Sequence, residues 1–435
     1  MLRQTYWIWE SLYFQRHTGG EIILALAQLG CFVIVAVGLL RFWLGQVKTI
    51  MLINVGIALM LALAGFQYFK QFGLIPSKPN YLYKLSAVIV TIFVCFMTQK
   101  IRDETWRRLH MAVIVGGLIF GIYPLIFAKT YSTTVYWPSN SHQLEKMVAP
   151  TIPKQNTIIL LLDELSASAA DPIVAQLQLA GLQVNINRMD PAGKNTINVI
   201  PAIWMQTSFD KSVVCGPSQL CSASSVLDFT KVKASSGAID IVGFYHRYCS
   251  IQGLRSCFVG SLPTMSAGIE LFCSFPFVGI IEFIGCNNRI AKREAFKALR
   301  ESLQHSLMDA PFWRYGGILY AHLLSPHPLP GKALKNLNEE YAENIADGAL
   351  FVQLIAKKAK LNFGEDFRII IFSDHPLRPE IWCSEDVYVE TSCKPDLSQV
   401  SNQVPLIVAA PHLINDESSK IKNNMTIFDL LFEAH

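Results

Sequence analysis

Acidic and histidine side chains stand at or directly after the ends of apolar segments that have the composition of buried β-strands. They are Asp163, Glu164, His322, His327, Asp374 and His375. Because ligands of parallel sheets bind beyond the carboxyl ends of the strands, we expect these side chains to converge. Carboxylates so placed repel one another unless a cation lies between them. We therefore predict a divalent metal ion, zinc or manganese, bound here by carboxylate oxygens and one imidazole. For any single one of these residues, the alternative is a helix cap or a surface ion pair.

Thr196 is the candidate nucleophile. Asn195 and Thr196 precede an apolar run that has a proline near its start, which is typical of a helix N-terminus. Backbone N–H groups there favour an anion, such as a phosphate oxygen or a threonine alkoxide. A metal ion alongside lowers the pKa of the hydroxyl further. The alternative is that Thr196 only caps the helix.

Three further side chains are candidates for substrate binding. His246 and Arg247 lie in the segment 245–249, which follows an apolar strand, and they would clamp a substrate phosphate. The alternative for this segment is a surface loop held by a disulfide. Arg378 either binds phosphate or forms an ion pair with Glu380.

The elements that must position these residues are short apolar strands alternating with helical stretches. The predicted strands are 157–162, 239–242, 317–324, 367–372 and 404–410, and the clearest helical stretches are 293–307 and 338–360. This alternation predicts an α/β domain with a mostly parallel central sheet and helices on both faces, over residues 157–435. Residues 131–156 are rich in Ser, Thr, Pro and Asn, and they read as a linker.

The first 130 residues have the composition of a membrane anchor. About 20 apolar residues cross a bilayer, and the predicted spans are 22–44, 50–69, 81–97 and 109–128. Aromatic residues upstream predict an amphipathic interfacial helix: Tyr6, Trp7, Trp9, Tyr13 and Phe14. The fold class is thus a multi-pass α-helical membrane bundle joined to an α/β domain. The spans contain no Asp or Glu, which argues against an ion pathway.

Charge and cysteine usage place the α/β domain outside the cytoplasm. The chain is 51% hydrophobic and 16% charged, and its net charge of +4 does not indicate nucleic-acid binding. The most cationic loop, 100–108, is expected on the cytoplasmic side. Eight cysteines in the α/β domain indicate disulfides, and neighbours in sequence suggest three pairs: Cys215–Cys221, Cys249–Cys257 and Cys383–Cys393. A structural zinc site is the alternative, although the usual ligand spacings are missing.

Four segments resemble the alkaline-phosphatase superfamily, in the membrane-anchored sulfatase-like branch of phosphoethanolamine transferases and lipoteichoic acid synthases. They are IILLLDELS at 158–166, NTINVIPAIW at 195–204, YAHLLSPHPLP at 320–330 and IIIFSDHPLRP at 369–379. The resemblance implies that Thr196 is the nucleophile and becomes transiently phosphorylated. It further implies that Glu164 and Asp163 match the first-strand metal ligand and that Asp374 and His375 match the paired ligand motif. No fuller two-metal ligand set is visible, so one ion is expected. The resemblance also implies that His322 and His327 hold the substrate phosphate or assist the leaving group.

Two features of the sequence depart from the pattern of that family. The arylsulfatase nucleophile motif is absent, and Pro376 stands where the family has glycine. From the resemblance we expect a metal-dependent transferase in a bacterial cytoplasmic membrane, with its catalytic domain on the periplasmic or extracellular side. It would move a phosphoethanolamine- or phosphoglycerol-type head group from a phospholipid donor to a cell-surface glycan or lipid. The alternatives are a phosphodiesterase or phosphatase of the same superfamily, and a catalytically silent subunit in envelope assembly.

Overall fold

The computed structural model describes residues 155–222, 225–234, 238–260, 289–329, 336–384, 401–413 and 420–428, together with residues 13, 14, 20, 22 and 23. The predicted spans lie outside these residues, apart from positions 22 and 23, and so does all but the end of the predicted linker. Within the described residues, no helix combines the length and the apolar character that a bilayer crossing requires. One compact unit, comprising Tyr13–Arg16, Thr133–Pro263 and Asn288–His435, holds the elements and the site considered below.

Ten strands and six helices are described in this unit. The strands are β1 Asn156–Leu162, β2 Gln183–Met189, β3 Val213–Gly216, β4 Gln219–Cys221, β5 Val226–Asp228, β6 Ile239–Phe244, β7 Ser256–Gly260, β8 Ile318–Leu323, β9 Phe367–Phe372 and β10 Val404–Ala410. The helices are α1 Asp171–Leu179, α2 Thr196–Met205, α3 Arg289–Met308, α4 Phe312–Tyr315, α5 Leu337–Phe363 and α6 Pro379–Ser384. The five predicted strands and both predicted helical stretches are therefore present, with bounds that differ by a few residues.

Seven of these strands form one sheet in the order β2-β10-β9-β1-β8-β6-β7, and β3, β4 and β5 form a small separate sheet. The strands β9, β1, β8, β6 and β7 pair in parallel, which confirms the predicted mostly parallel sheet. The strand β10 is antiparallel to both of its neighbours. The apolar composition of 404–410 predicts a buried parallel strand like the other four, and this prediction is wrong. A strand covered on both faces is continuously apolar in either direction, so composition carries no information about its orientation.

Helices cover both faces of the sheet, as predicted. Ile158, Leu160 and Leu162 of β1 point to one face and share a hydrophobic core with apolar residues of α1, α3 and α5. On the other face, Trp204 of α2 packs edge-to-face on Tyr320 of β8, with 5.7 Å between ring centroids. This second face carries the site described below.

Two predicted disulfides, Cys215–Cys221 and Cys249–Cys257, are confirmed. Cys383 is also disulfide-bonded, while its predicted partner Cys393 lies outside the described residues. These bonds exclude a zinc site at the paired cysteines. Disulfides of this kind persist in oxidising compartments.

Candidate active site

The register of the sheet brings distant residues to one edge. Leu161 of β1 is level with His322 of β8 and with Phe372 of β9. Side chains two residues apart on a strand point to the same face. Asp163 and Asp374, two residues beyond Leu161 and Phe372, are therefore directed to the face of His322 at the carboxyl ends of the strands. The predicted convergence of these residues follows from the strand register.

Thr196 is the first residue of α2, at the predicted helix N-terminus, and the extended Asn195 is its N-cap. Its Oγ1 donates a hydrogen bond to Oδ2 of Asp374 at 2.7 Å, and it lies 3.2 Å from Nε2 of His375. Both partners are fully buried, whereas Thr196 is partly exposed. Thr196 is thus less buried than the two side chains that its hydroxyl contacts.

Asp163, Asp374 and His375 form a group that fits a metal ion. Each offers one ligand atom, and these atoms all lie within 4.8 Å of one another. Oδ1 of the buried Asp163 has no hydrogen-bond partner in the described part of the chain. A buried carboxylate oxygen without a partner is costly unless a proton or a cation satisfies it. Two carboxylates and one imidazole are a donor set for a divalent ion such as zinc or manganese.

The two carboxylates of this group have opposite pKa shifts. Burial raises the pKa of Asp163 well above its usual value, and the neighbouring Asp374 and Glu164 raise it further. Burial also raises the pKa of Asp374, but His375, His322 and the Thr196 hydroxyl outweigh this effect and lower it to about 2. Asp374 is therefore ionised, whereas Asp163 favours its protonated form until a cation replaces the proton.

Glu164 makes hydrogen bonds away from this group. Its carboxylate accepts from Arg378 Nε and Nη2 at 2.8 and 2.6 Å and from Trp382 Nε1 at 2.7 Å. Its backbone has a positive φ of 64°, and its Oε1 is 4.0 Å from Nδ1 of His375. Among the four predicted metal ligands, Glu164 is the one outside the converging group.

Arg378 joins the end of β1 to the start of α2. Besides Glu164, its guanidinium donates to Oδ1 of Asn195 and to the carbonyl of Lys194. The sequence alternative of an ion pair with Glu380 is wrong, since Arg378 forms its ion pair with Glu164. The side chain of Arg378 keeps 19% of its surface exposed, at the rim of the site.

The predicted histidines lie on two sides of the metal-ligand group. His322 is fully buried; its Nδ1 is 3.0 Å from the Tyr248 hydroxyl, and its Nε2 is 4.0 Å from Oδ2 of Asp163. Burial lowers the pKa of His322 to about 3, against the opposing charge of Asp374. The imidazole is therefore neutral and offers a hydrogen bond rather than a positive charge.

His327 lies on the Glu164 side of the site. Its ring packs edge-to-face on Trp382 at 5.1 Å. Its carbonyl accepts a hydrogen bond from Arg300 at 2.9 Å, which fixes the loop after β8. Burial lowers its pKa, and the charge of Glu164 acts in the opposite direction.

His246 and Arg247 lie inside the domain, so the alternative of a surface loop is wrong for these two residues. His246 has no exposed surface and Arg247 has 5%. The His246 ring stacks on His322, with 6.3 Å between centroids. The Cys249–Cys257 bond does hold this segment, as that alternative supposed, but it holds the segment against β7 of the sheet.

Tyr13 lies in the site, in contrast to its predicted position. The aromatic residues around it predict a belt at the membrane interface, whereas the structure buries Tyr13 completely with its hydroxyl 2.8 Å from Nδ1 of His246. An apolar ring with a polar tip suits either environment, so residue type alone gave no signal. Tyr248, which contacts His322, was likewise missed, although it lies next to the predicted His246 and Arg247.

No protein-family model matches the chain, and neither does any curated protein. Solved structures to which the chain is similar include the periplasmic domain of the phosphoethanolamine transferase EptC from Campylobacter jejuni (11% identity, TM-score 0.33, 64% of this chain and 88% of that one). They also include the lipoteichoic acid synthase LtaP from Listeria monocytogenes (11%, 0.33, 67% and 76%) and a phosphonate monoester hydrolase from Agrobacterium radiobacter (11%, 0.35, 64% and 74%). Because these identities and TM-scores are low, we infer the function from the side chains of the site and not from these structures.

Proposed function

We propose that the chain is a metal-dependent enzyme that transfers a phosphoryl-linked head group through Thr196. The observation that carries this proposal is the contact of the Thr196 hydroxyl with Asp374 and His375, at 2.7 and 3.2 Å. The same two residues form the potential metal-binding group with Asp163. A partly exposed hydroxyl bound to the buried acceptors of a cation site is placed to act as an activated nucleophile.

The first step forms a bond between Oγ1 of Thr196 and the phosphorus of a phosphodiester. The bond between phosphorus and the departing alkoxide oxygen breaks, and the proton of the Thr196 hydroxyl ends on that alkoxide. Asp374 accepts the hydrogen bond of the Thr196 hydroxyl as this proton leaves, and the neutral His322 donates a hydrogen bond to a phosphoryl oxygen. The Nδ1–H of His327 is directed to the carbonyl of Pro328, so the Nε2 of this imidazole is an acceptor that relays the proton to the leaving oxygen. In the second step an acceptor hydroxyl oxygen bonds to the phosphorus, the bond between phosphorus and Oγ1 of Thr196 breaks, and the proton of the acceptor hydroxyl goes to Thr196.

A divalent ion held by Asp163, Asp374 and His375 would supply positive charge against the phosphoryl oxygens and the threonine alkoxide. Arg378 contributes by holding the backbone next to the nucleophile. By binding both Glu164 and Asn195, it fixes the turn that precedes Thr196, so the orientation of the nucleophile depends on this guanidinium.

The proposed donor is a phospholipid with a phosphoethanolamine- or phosphoglycerol-type head group, and the proposed acceptor is a cell-surface glycan or lipid. The predicted spans in residues 1–130 support this choice, because an anchored enzyme meets a donor that lies in the membrane plane. The disulfides support a catalytic domain on the periplasmic or extracellular side of a bacterial cytoplasmic membrane.

Hydrolysis of the same bond is the second candidate. It is favoured by the partial exposure of Thr196, since water can reach the same position as an acceptor hydroxyl. A catalytically silent subunit is disfavoured by the intact set of Thr196, Asp163, Asp374 and His375.

The test is to incubate the full-length protein and Zn²⁺ or Mn²⁺ with vesicles of phosphatidylethanolamine and phosphatidylglycerol that carry labelled head groups. We expect diacylglycerol to form and a labelled phospho-adduct to appear on the peptide that contains Thr196. Thr196→Ala should abolish the adduct, while Thr196→Ser should retain it. Label in a glycan or lipid acceptor supports transfer, and label only in water-soluble products supports hydrolysis. If Thr196→Ala formed diacylglycerol at the wild-type rate, Thr196 would not be the nucleophile.

A further inference from the structure

Tyr13 is separated by 233 residues from His246, yet the two side chains are in direct contact. The Tyr13 ring is fully buried, with Phe229 at 6.4 Å and its sequence neighbour Phe14 at 5.0 Å between ring centroids. Phe14 in turn packs on Tyr245 at 4.4 Å. A residue from the first part of the chain is thereby fixed beside the imidazole.

The direction of the hydrogen bond follows from the partners of the hydroxyl. Within the described residues, His246 Nδ1 is the single hydrogen-bond partner of the Tyr13 hydroxyl. Burial raises the pKa of Tyr13 well above its usual value, so the phenol keeps its proton. A buried O–H donor without a partner costs more than an unused lone pair, so the phenol donates and Nδ1 accepts.

This bond determines where the imidazole of His246 carries its own proton. Burial, followed by the neighbouring His322, lowers the pKa of His246 well below its usual value, while Asp374 and the backbone of Thr196 act in the opposite direction. A neutral imidazole has one N–H group, and with Nδ1 accepting, that group is Nε2–H. Within the described residues, this buried Nε2 makes no hydrogen bond of good geometry. The His246 ring stacks on His322 and lies near the backbone of Thr196. An unpaired donor is thus available at the nucleophile.

We propose that Tyr13 is a positioning residue of the active site: its hydroxyl fixes the tautomer of His246 that presents an Nε2–H donor to a phosphoryl oxygen at Thr196. This role rests on the phosphoryl transfer proposed above. Tyr13, near the start of the chain, thereby takes part in recognising the transferred group. His246 contributes a hydrogen bond and not a positive charge.

The test uses the full-length protein, Tyr13→Phe, His246→Asn and the double variant, with Tyr315→Phe as the matched control. Tyr13→Phe removes one hydroxyl and keeps the ring, and Tyr315 is 36% exposed outside the site. Release of nitrophenol from bis(4-nitrophenyl) phosphate reports the first step. We expect Tyr13→Phe to lower kcat about 10-fold, the value for one lost hydrogen bond, and to cause no further loss in the His246→Asn background. Tyr315→Phe should match the wild type. Equal losses in both backgrounds would mean that Tyr13 acts by packing and would overturn the proposal.

A second readout does not require activity. In protein labelled with ¹⁵N-histidine, the His246 signals are those missing from His246→Asn, and their shifts distinguish the two tautomers. We expect Nε2–H in the wild type and a changed tautomer population in Tyr13→Phe. Identical His246 signals in both proteins would overturn the proposal. A further outcome is that the tautomer changes in Tyr13→Phe as expected while the wild-type protein cleaves no phosphodiester. That result would support the positioning role and overturn the phosphoryl transfer.

Discussion

The hydroxyl of Thr196 and the carboxylate of Asp374 are joined by a 2.7 Å hydrogen bond across 178 residues of sequence. Asp374 follows a strand at the centre of the sheet, whereas Thr196 begins a helix that covers one face of that sheet. The nucleophile is thereby tied to a rigid element, although it belongs to a partly exposed helix end. Changes at either residue should consequently affect both metal binding and the reactivity of the hydroxyl.

Asp374→Ala should remove most of the bound metal. The substitution takes one of three converging ligands and leaves the Asp163 carboxylate and His375 without the third donor. We expect the zinc content, measured by mass spectrometry of metals after dialysis, to fall from about one per chain to nearly none, since a lost ligand is at least as damaging as the 10- to 100-fold cost of losing an outer-shell partner. The exposed Asp347 provides the control variant, Asp347→Ala. Full metal content in Asp374→Ala would exclude it as a ligand.

Binding of the metal ion should release a proton. Because the pKa of Asp163 is raised, its carboxyl group is protonated over a wider pH range than usual, and a metal ion competes with that proton. Affinity should therefore increase with pH until Asp163 is ionised in the free protein, and decrease as pH falls. Calorimetry of zinc binding in buffers of different ionisation enthalpy measures the number of protons released. Asp163→Asn should reduce that number, and a proton count that is unchanged in this variant would contradict the prediction.

Arg378→Ala should destabilise the domain. It leaves the fully buried Glu164 carboxylate with Trp382 as its remaining side-chain donor among the described residues. Breaking a buried ion pair by removing one partner costs roughly 3–5 kcal/mol. Thermal unfolding followed by tryptophan fluorescence provides the measurement. Arg188→Ala, on the exposed surface of β2, is the matched control. Glu164→Gln added to Arg378→Ala should recover part of the loss, because it removes the unpaired charge.

Removal of the Cys249–Cys257 disulfide should weaken both the fold and the site. The bond closes a loop with a sequence separation of 8, for which chain entropy predicts a loss of roughly 2–3 kcal/mol. It also lies three residues after His246, so the imidazole should become less well ordered. A Cys249→Ser/Cys257→Ser variant should unfold at a lower temperature and turn over more slowly. The Cys215→Ser/Cys221→Ser variant separates a general stability loss from one at the site; equal losses of activity in both would argue against a local effect.

The central elements were predictable because their composition is extreme. The strands β1 and β9 are unbroken apolar runs that end in acidic residues, and this pattern predicted both the strands and the convergence of Asp163 with Asp374. The strand β2, QVNINRM, was missed because it lies at the sheet edge with a partly exposed alternation that resembles a loop. The strand β7 was missed because it is short and lies at the opposite edge.

The different contacts of Asp163 and Glu164 could not be predicted from the sequence. The two residues are adjacent and both are acidic, so strand-end position makes both candidate ligands. Backbone conformation separates them: the positive φ of Glu164 accompanies the direction of its carboxylate towards Arg378 and Trp382. The contact of Tyr13 with His246 is a long-range contact between residues that no local pattern connects.

The antiparallel β10 has a consequence for how the domain is made. This strand lies between β2 and β9, yet a ribosome synthesises it last of the seven. Until Val404–Ala410 emerges from the ribosome, β2 has no partner strand in the sheet and one edge of β9 is unpaired. The backbone N–H and C=O groups of these strands can then pair with another chain, which leads to aggregation. A fragment that stops before Val404 should therefore accumulate as insoluble protein, and any shortened form intended for crystallisation has to extend at least through Ala410.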